Sequence, residues 1–192
     1  LGQVACEALR TIVINTTQRW CGNRFGKSLI RPGGTDFPLR PELRGIIVDN
    51  VKEVRRRYSE VCEDLFTTPS VLARFDECGK VGRTQLQQIG AVGTAARASG
   101  LLRDIRFTHP YGAYGDVFPH QPVVLETGDV MARAQVRYRE VLQSIEAILM
   151  LLREEGMEEV PLPEYEKPLA SDSLCFALTE GWRGEICHVA LT

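Results

Sequence analysis

The sequence predicts a mainly α, α+β fold: a bundle built on long helices and finished by a short C-terminal β-hairpin. Two stretches, Pro41 to Phe66 and Gly128 to Glu155, repeat apolar residues every three or four positions. Near the C-terminus, two short apolar runs bracket Gly181-Trp182-Arg183-Gly184, a turn signal between strands. No nucleophile elbow, phosphate loop, dinucleotide glycine fingerprint or zinc signature points to another class.

Taken in order, Gln3 to Phe25 reads as a first helix, with Val4, Leu9, Ile12, Val13, Thr16 and Trp20 as its stripe and Gly22 and Gly26 near its end. Arg31-Pro32-Gly33-Gly34 is a loop. The first long helix opens on Pro41, which suits a first turn, and stops before Thr68-Pro69. Its stripe is Leu43, Ile47, Val51, Val54, Tyr58, Val61 and Leu65. The run Arg55-Arg56-Arg57 reads as a solvated face, with partner docking as the alternative. Short helices are expected at 69 to 77 and 83 to 89, around a turn at Gly79 to Gly82. Gly93 to Ser99 is a run of small residues that suits close backbone approach. Phe107 to Val123, rich in Pro, Gly and Tyr, reads as a loop. Asp129 is placed to cap the second long helix, whose stripe is Val130, Ala134, Tyr138, Val141, Ile145, Ile148, Leu149 and Leu152, and Gly156 ends it. Pro161, Pro163 and Pro168 mark an extended linker, and strands follow near 173–179 and 185–191.

The 192 residues are enough for one domain, read as a helical bundle over 1–160 with a linker and hairpin over 161–192. A net charge of −2 argues against nucleic-acid binding through bulk electrostatics. No apolar run approaches the roughly twenty residues of a membrane span, so any membrane link is expected to run through partner proteins. The opening Leu1-Gly2-Gln3 and the apolar end at Thr192 read as the ends of an internal piece of a longer chain. The six cysteines (6, 21, 62, 78, 175, 187) form no CxxC pair and read as free buried thiols of a cytosolic protein.

Three charged groupings stand out. Arg97 to Arg106 carries Arg97, Arg103, Asp104 and Arg106 among apolar neighbours. An internal arginine stays charged and needs a partner, and Asp104 is the local one. Arg133, Arg137 and Glu140 fall at i, i+4 and i+7 on one helix face, as further members of an ion-pair core, with Glu140 pairing either with Arg137 or with the cluster near Arg97. Glu180-Gly181-Trp182-Arg183-Gly184-Glu185, followed by Cys187-His188, allows an unusual backbone path that can aim one arginine into a cavity. His109 and His120 have no metal-ligand spacing.

Arg97-Ala98-Ser99-Gly100, Asp104-Ile105-Arg106 and Pro110-Tyr111, the helix from Gly128-Asp129 through Arg133, Arg137, Glu140 and Ser144, and the Arg31 to Gly34 loop come in one order over most of the chain. Together they resemble the family shared by nickel–iron hydrogenase large subunits, of the formate hydrogenlyase and hydrogenase-4 type, and the 49-kilodalton subunit of NADH:quinone oxidoreductase. The resemblance implies a hydrogenase large-subunit-like fold and a piece of the catalytic subunit of a membrane-associated hydrogenase complex. The alternatives are a quinone-reducing subunit without nickel and a metal-free scaffold. It further implies Arg183 as the catalytic residue and Glu180, Gly184 and His188 as cofactor-binding residues. No cofactor is expected on this piece, which would be inactive alone. A nickel–iron centre would belong to the full-length protein, an iron–sulfur cluster to a small partner subunit, and the location would be cytoplasmic, peripheral to the membrane.

Overall fold

The computed structural model describes residues 2–31, 34–153 and 168–192. Pro32, Gly33, Glu155, Gly156, Pro161 and Pro163, which carried the loop, helix-end and linker readings above, lie outside them. The elements are helices α1 (Gly2–Cys21), α2 (Pro41–Thr67), α3 (Pro69–Phe75), α4 (Arg83–Gln88), α5 (Gly93–Arg97), α6 (Ile105–Thr108), α7 (Ala113–Asp116) and α8 (Val130–Leu151). Strands β1 (Ile30–Arg31) and β2 (Gly34–Thr35) form a small ladder, and β3 (Leu174–Gly181) and β4 (Gly184–Leu191) the C-terminal hairpin. The mainly α fold with a terminal antiparallel hairpin is therefore the one the sequence predicted.

The chain divides into two compact units, Leu1–Phe66 with Ser144–Lys167, and Thr67–Gln143 with Pro168–Thr192. In the first, α1, α2 and the end of α8 bury Leu9, Val54, Ile145 and Leu149 in one cluster and Leu39, Ile47 and Leu152 in another. The α2 stripe lies inward as its spacing requires. Arg44 donates to the Leu152 carbonyl, satisfying a group that the end of α8 would leave open. Arg55 pairs with Glu146, and Arg56 with Glu53 and Glu60 of its own helix.

Three expectations need correction. Helix α1 ends at Cys21 rather than Phe25, because Gly22 turns into the left-handed region at φ +73°. Val4 and Val13 of its predicted stripe are exposed. Of the cysteines only Cys21 and Cys62 are buried; Cys6, Cys175 and Cys187 are exposed, and all six are free.

In the second unit the predicted loop between Phe107 and Val123 contains the helical turn α7, and α6 runs into it. Helix α8 buries Ala132 and Val136, which the predicted stripe missed, against Ala98 and Val123. Its apolar face is redirected along its length. The early part packs on the small residues near Ala98, the late part on Leu9 and Val54.

Asp129 caps α8 as expected. Its Oδ1 accepts from the Ala132 N–H (2.7 Å) and the Thr127 hydroxyl (3.0 Å), and its Oδ2 from the Glu77 N–H (3.1 Å). Burial pushes the carboxyl up, but these three donors outweigh it and hold it below its ordinary range. Asp129→Ala is expected to lower stability by about 2 kcal/mol, the upper end for a helix cap, read as a lower urea midpoint at unchanged slope.

Candidate functional site

The second unit gathers its charges into one buried network. The segment from Arg97 to Gly100 is laced to the stretch from Leu125 to Gly128. Leu125 N–H donates to the Arg97 carbonyl (2.9 Å), Gly100 N–H to Leu125 (2.7 Å) and Gly128 N–H to Ala98 (2.9 Å). Ala96 and Ala98 are fully buried here, so the small-residue run does let backbones approach closely. The Arg97 side chain is thereby carried inside, 2% exposed.

Arg97 is engaged on several sides. Its Nε donates to Glu140 Oε1 (2.8 Å), and its Nη1 donates to the Arg103 carbonyl (2.9 Å) and to Glu180 Oε1 (2.8 Å). Asp104 Oδ2 is 3.7 Å away. Asp104 is the local carboxylate partner that the sequence reading expected for this segment, and of its arginines it serves Arg106 most directly. Asp104 belongs first to Arg106, which donates through Nε to Oδ1 (2.9 Å) and through Nη2 to Oδ2 (2.7 Å). The reason is local: Asp104 caps α6, accepting the Arg106 N–H at 3.1 Å, and that turn brings the Arg106 side chain back over it. Burial pushes the Asp104 carboxyl up, but hydrogen bonds from His120 and Arg106 and the charges of Arg106 and Arg97 hold it well below the usual carboxylate range. The same carboxylate, with Glu140 and Tyr114, raises Arg106 against the effect of its burial.

His120 is the member that sequence reasoning missed. It is buried, and its Nε2 lies 2.9 Å from Asp104 Oδ2. An ionised carboxylate can only accept, so Nε2 is the donor. Tyr114 and Phe118 close round it, with ring centroids 5.8 Å and 6.4 Å away. The only signal in the sequence was an uncommitted histidine in a Pro-rich loop; its partner is sixteen residues upstream.

Other predicted members stand apart. Arg133 donates to the Gly79 and Gly128 carbonyls (3.2 and 2.8 Å) at the start of α8. Arg137 is exposed, donates to the Arg133 carbonyl and lies over the Trp182 ring, 5.8 Å from its centroid. Among the described residues neither joins the ion-pair core. The spacing i, i+4, i+7 keeps all three on one face but spreads them about 10 Å along the helix axis, and of the three Glu140 reaches Arg97. At the hairpin, Glu180 reaches the network and Gly184 is buried, whereas Arg183 is exposed. His188 pairs with Ala177, three ladder steps from the Glu180–Glu185 pair and on the other face, and is exposed.

The tip of the hairpin is held backbone to backbone. A side-chain carbon on Gly93 would lie 2.2 Å from the Arg183 carbonyl oxygen, and one on Gly184 2.6 Å from Val92 Cγ2 and 3.0 Å from the Gly93 nitrogen. No residue but glycine fits at either position.

Chemically, the arrangement is a dry lattice of guanidinium and carboxylate groups, with a permanently charged arginine displayed beside it on an anchored turn. The chain has no CxxC pair, and the described residues contain no group of three or more His, Cys, Asp or Glu side chains able to hold an ion. No described helix is long and apolar enough to cross a membrane.

The profile described as "Respiratory-chain NADH dehydrogenase, 49 Kd subunit" matches residues 3–172, and the chain belongs to that family. Its relatives include the carbon monoxide-induced hydrogenase of Rhodospirillum rubrum, 29% identical over 95% of this chain and 50% of that protein. An NADH-quinone oxidoreductase subunit of Bacteroides thetaiotaomicron is 29% identical over 92% of this chain and 33% of that protein. The fold is shared with a chain of the membrane-bound sulfane sulfur reductase, an archaeal respiratory membrane complex. The TM-score is 0.85 at 22% identity, over 97% of this chain and 52% of that one. The chain thus spans about half or less of the length of these proteins.

Proposed function

We propose that this chain is the central scaffold of the large, catalytic subunit of a membrane-associated hydrogenase complex, and that Arg183 serves the reacting group. The observation that carries the reading is the buried Arg97–Glu180 contact, which ties the Arg183 turn to the ion-pair network of Arg97, Glu140, Asp104 and Arg106. The alignment with the carbon monoxide-induced hydrogenase over nearly the whole chain supports it.

In this reading a nickel–iron centre takes its thiolates from sequence other than these residues, and an iron–sulfur cluster is carried by a small partner protein. This chain's own part is electrostatic. The Arg183 guanidinium keeps its proton at any working pH and offers several N–H donors in a fixed fork. Set at the edge of a closed site, it stabilises negative charge that develops during proton and electron transfer. Glu180 and Gly184 hold the turn instead of touching the cofactor themselves. His188, on the opposite face, has no part in it. Attachment to the membrane runs through partner proteins.

A second reading, a nickel-free quinone-reducing subunit, is supported by the family's description and by the NADH-quinone oxidoreductase relatives. The two are separated with the full-length protein in its complex. Bound nickel with hydrogen-dependent dye reduction supports the first; quinone reduction without nickel supports the second. Neither activity, in an intact complex, leaves a metal-free scaffold. Arg183→Lys keeps the charge but loses the fork, and is expected to lower turnover on the order of a hundredfold while the complex still assembles. Unchanged turnover removes Arg183 from the site.

A further inference from the structure

We propose that Glu180 is a positioning residue: its carboxylate, clamped inside the second unit by Arg97, fixes the hairpin tip and thereby the place of the Arg183 guanidinium. The functional half of this statement rests on the role given to Arg183 above; the structural half does not.

The hairpin cannot hold its own tip. Two strands alone are marginal in water, and β3 and β4 are exposed along nearly their whole length. Leu174, Phe176, Val189 and Leu191, the pairs farthest from the turn, are all more than half exposed. Only the last rungs are covered. There Glu180, 5% exposed, points Oε1 at Arg97 Nη1 (2.8 Å) and Oε2 toward the Ile105 N–H (3.4 Å). Both oxygens face protein, so this carboxylate is occupied and is not presented to a cofactor.

The ladder adds a second reason. Glu180 lies directly opposite Glu185, on one face of the hairpin. Like charges in that position push the strands apart, at the rung next to the Gly181–Gly184 pair that closes the turn. Arg97 neutralises Glu180, while Glu185 remains exposed. The buried arginine therefore removes a repulsion that would otherwise open the turn. It does so from a fixed post, because Glu140 and the Arg103 carbonyl hold the same guanidinium.

The glycine pair then translates this clamp into position. With Glu180 seated, the Arg183 carbonyl and Gly184 lie against Val92 and Gly93 with no room for a side-chain carbon. Arg183 is three residues along from Glu180 in a two-residue turn, so its Cα has little freedom left.

The test uses the full-length protein in its complex. Glu180→Gln keeps the shape and one acceptor for Arg97, and removes the charge. The amides of Trp182, Arg183 and Gly184 are expected to exchange with deuterium about tenfold faster or more, as a lost charge-assisted bond predicts, while Ala96 to Gly100 exchange as in the parent. Glu180→Ala, which removes both acceptors, is measured alongside, and unchanged exchange at the tip in both variants overturns the clamp. Turnover is then compared in a double-mutant cycle with Arg183→Lys. A residue acting through Arg183 costs turnover in the parent and little more once Arg183 is Lys. The same fold-loss in both backgrounds overturns the positioning role and marks Glu180 as merely structural. If Arg183→Lys alone leaves turnover unchanged, the role of Arg183 fails, and the exchange data still decide whether Glu180 holds the tip.

Discussion

Asp104→Ala is expected to destabilise the second unit by about 3–5 kcal/mol, the cost of breaking a buried ion pair by removing one partner. Asp104 is fully buried and answers four groups at once: the Arg106 side chain, the Arg106 N–H, His120 and, at longer range, Arg97. Taking it away leaves the Arg106 cation with Glu140 Oε1 at 3.5 Å as its remaining carboxylate, and leaves the His120 Nε2 donor facing a void. It also removes the cap of α6. Denaturant unfolding read by amide exchange at Ala98 and Val136, both fully buried, measures the loss. A midpoint equal to the parent's would mean that the network is not held together by this carboxylate.

The same group predicts an acid dependence. Its folded-state carboxyl is held below the ordinary value of 3.8. A depressed carboxylate contributes stability that is complete above its unfolded value and is lost as pH falls through the folded one. The stability gap between the parent and Asp104→Asn should therefore be constant from neutral pH down to about 4, and close progressively below that. A gap that does not narrow in acid would show that the carboxylate is not ionised in the folded protein.

Gly128→Ala should be nearly as damaging, for a purely steric reason. Gly128 sits at φ +69°, and a side-chain carbon there would stand 2.3 Å from the Val81 carbonyl oxygen and 2.8 Å from the Ser99 hydroxyl. The backbone cannot retreat, because the Gly128 N–H is bonded to Ala98 and its carbonyl receives the Val81 N–H and Arg133. Left-handed strain of about 1–2 kcal/mol adds to about 1–3 kcal/mol of overpacking. Gly90→Ala is the matched control. Its φ is +68°, almost the same, and nothing lies within 4 Å of the added carbon. It should lose the strain alone. If both variants melt together, crowding at Gly128 contributes nothing.

How far residues announced these roles depended on whether their partners were near in sequence. The α2 stripe, the Asp129 cap and the Trp182–Arg183 turn obey rules spanning a few residues, and all were legible. Asp104 and Arg106 are two apart, and their pairing lay within reach of the same reasoning. Arg97 was recognisable as an arginine that would need a buried partner, and Glu140, 43 residues away, was one of the two pairings its helix face allowed; Glu180, 83 residues away, gave no such signal. His120 looked idle for the same reason. Arg133 and Arg137 were misassigned because helical spacing says which residues neighbour one another, and not which of them the fold turns inward.

The amino-acid order alone determined the helices, the hairpin and the presence of charges that needed burial, since turn propensity, capping and periodicity act over one or two turns of chain. Which carboxylate meets which guanidinium, and that the hairpin tip is keyed into Val92–Gly93, was decided only when distant segments packed. Desolvation makes an unpaired buried charge so costly that the partners must be met in three dimensions, wherever along the chain they happen to lie.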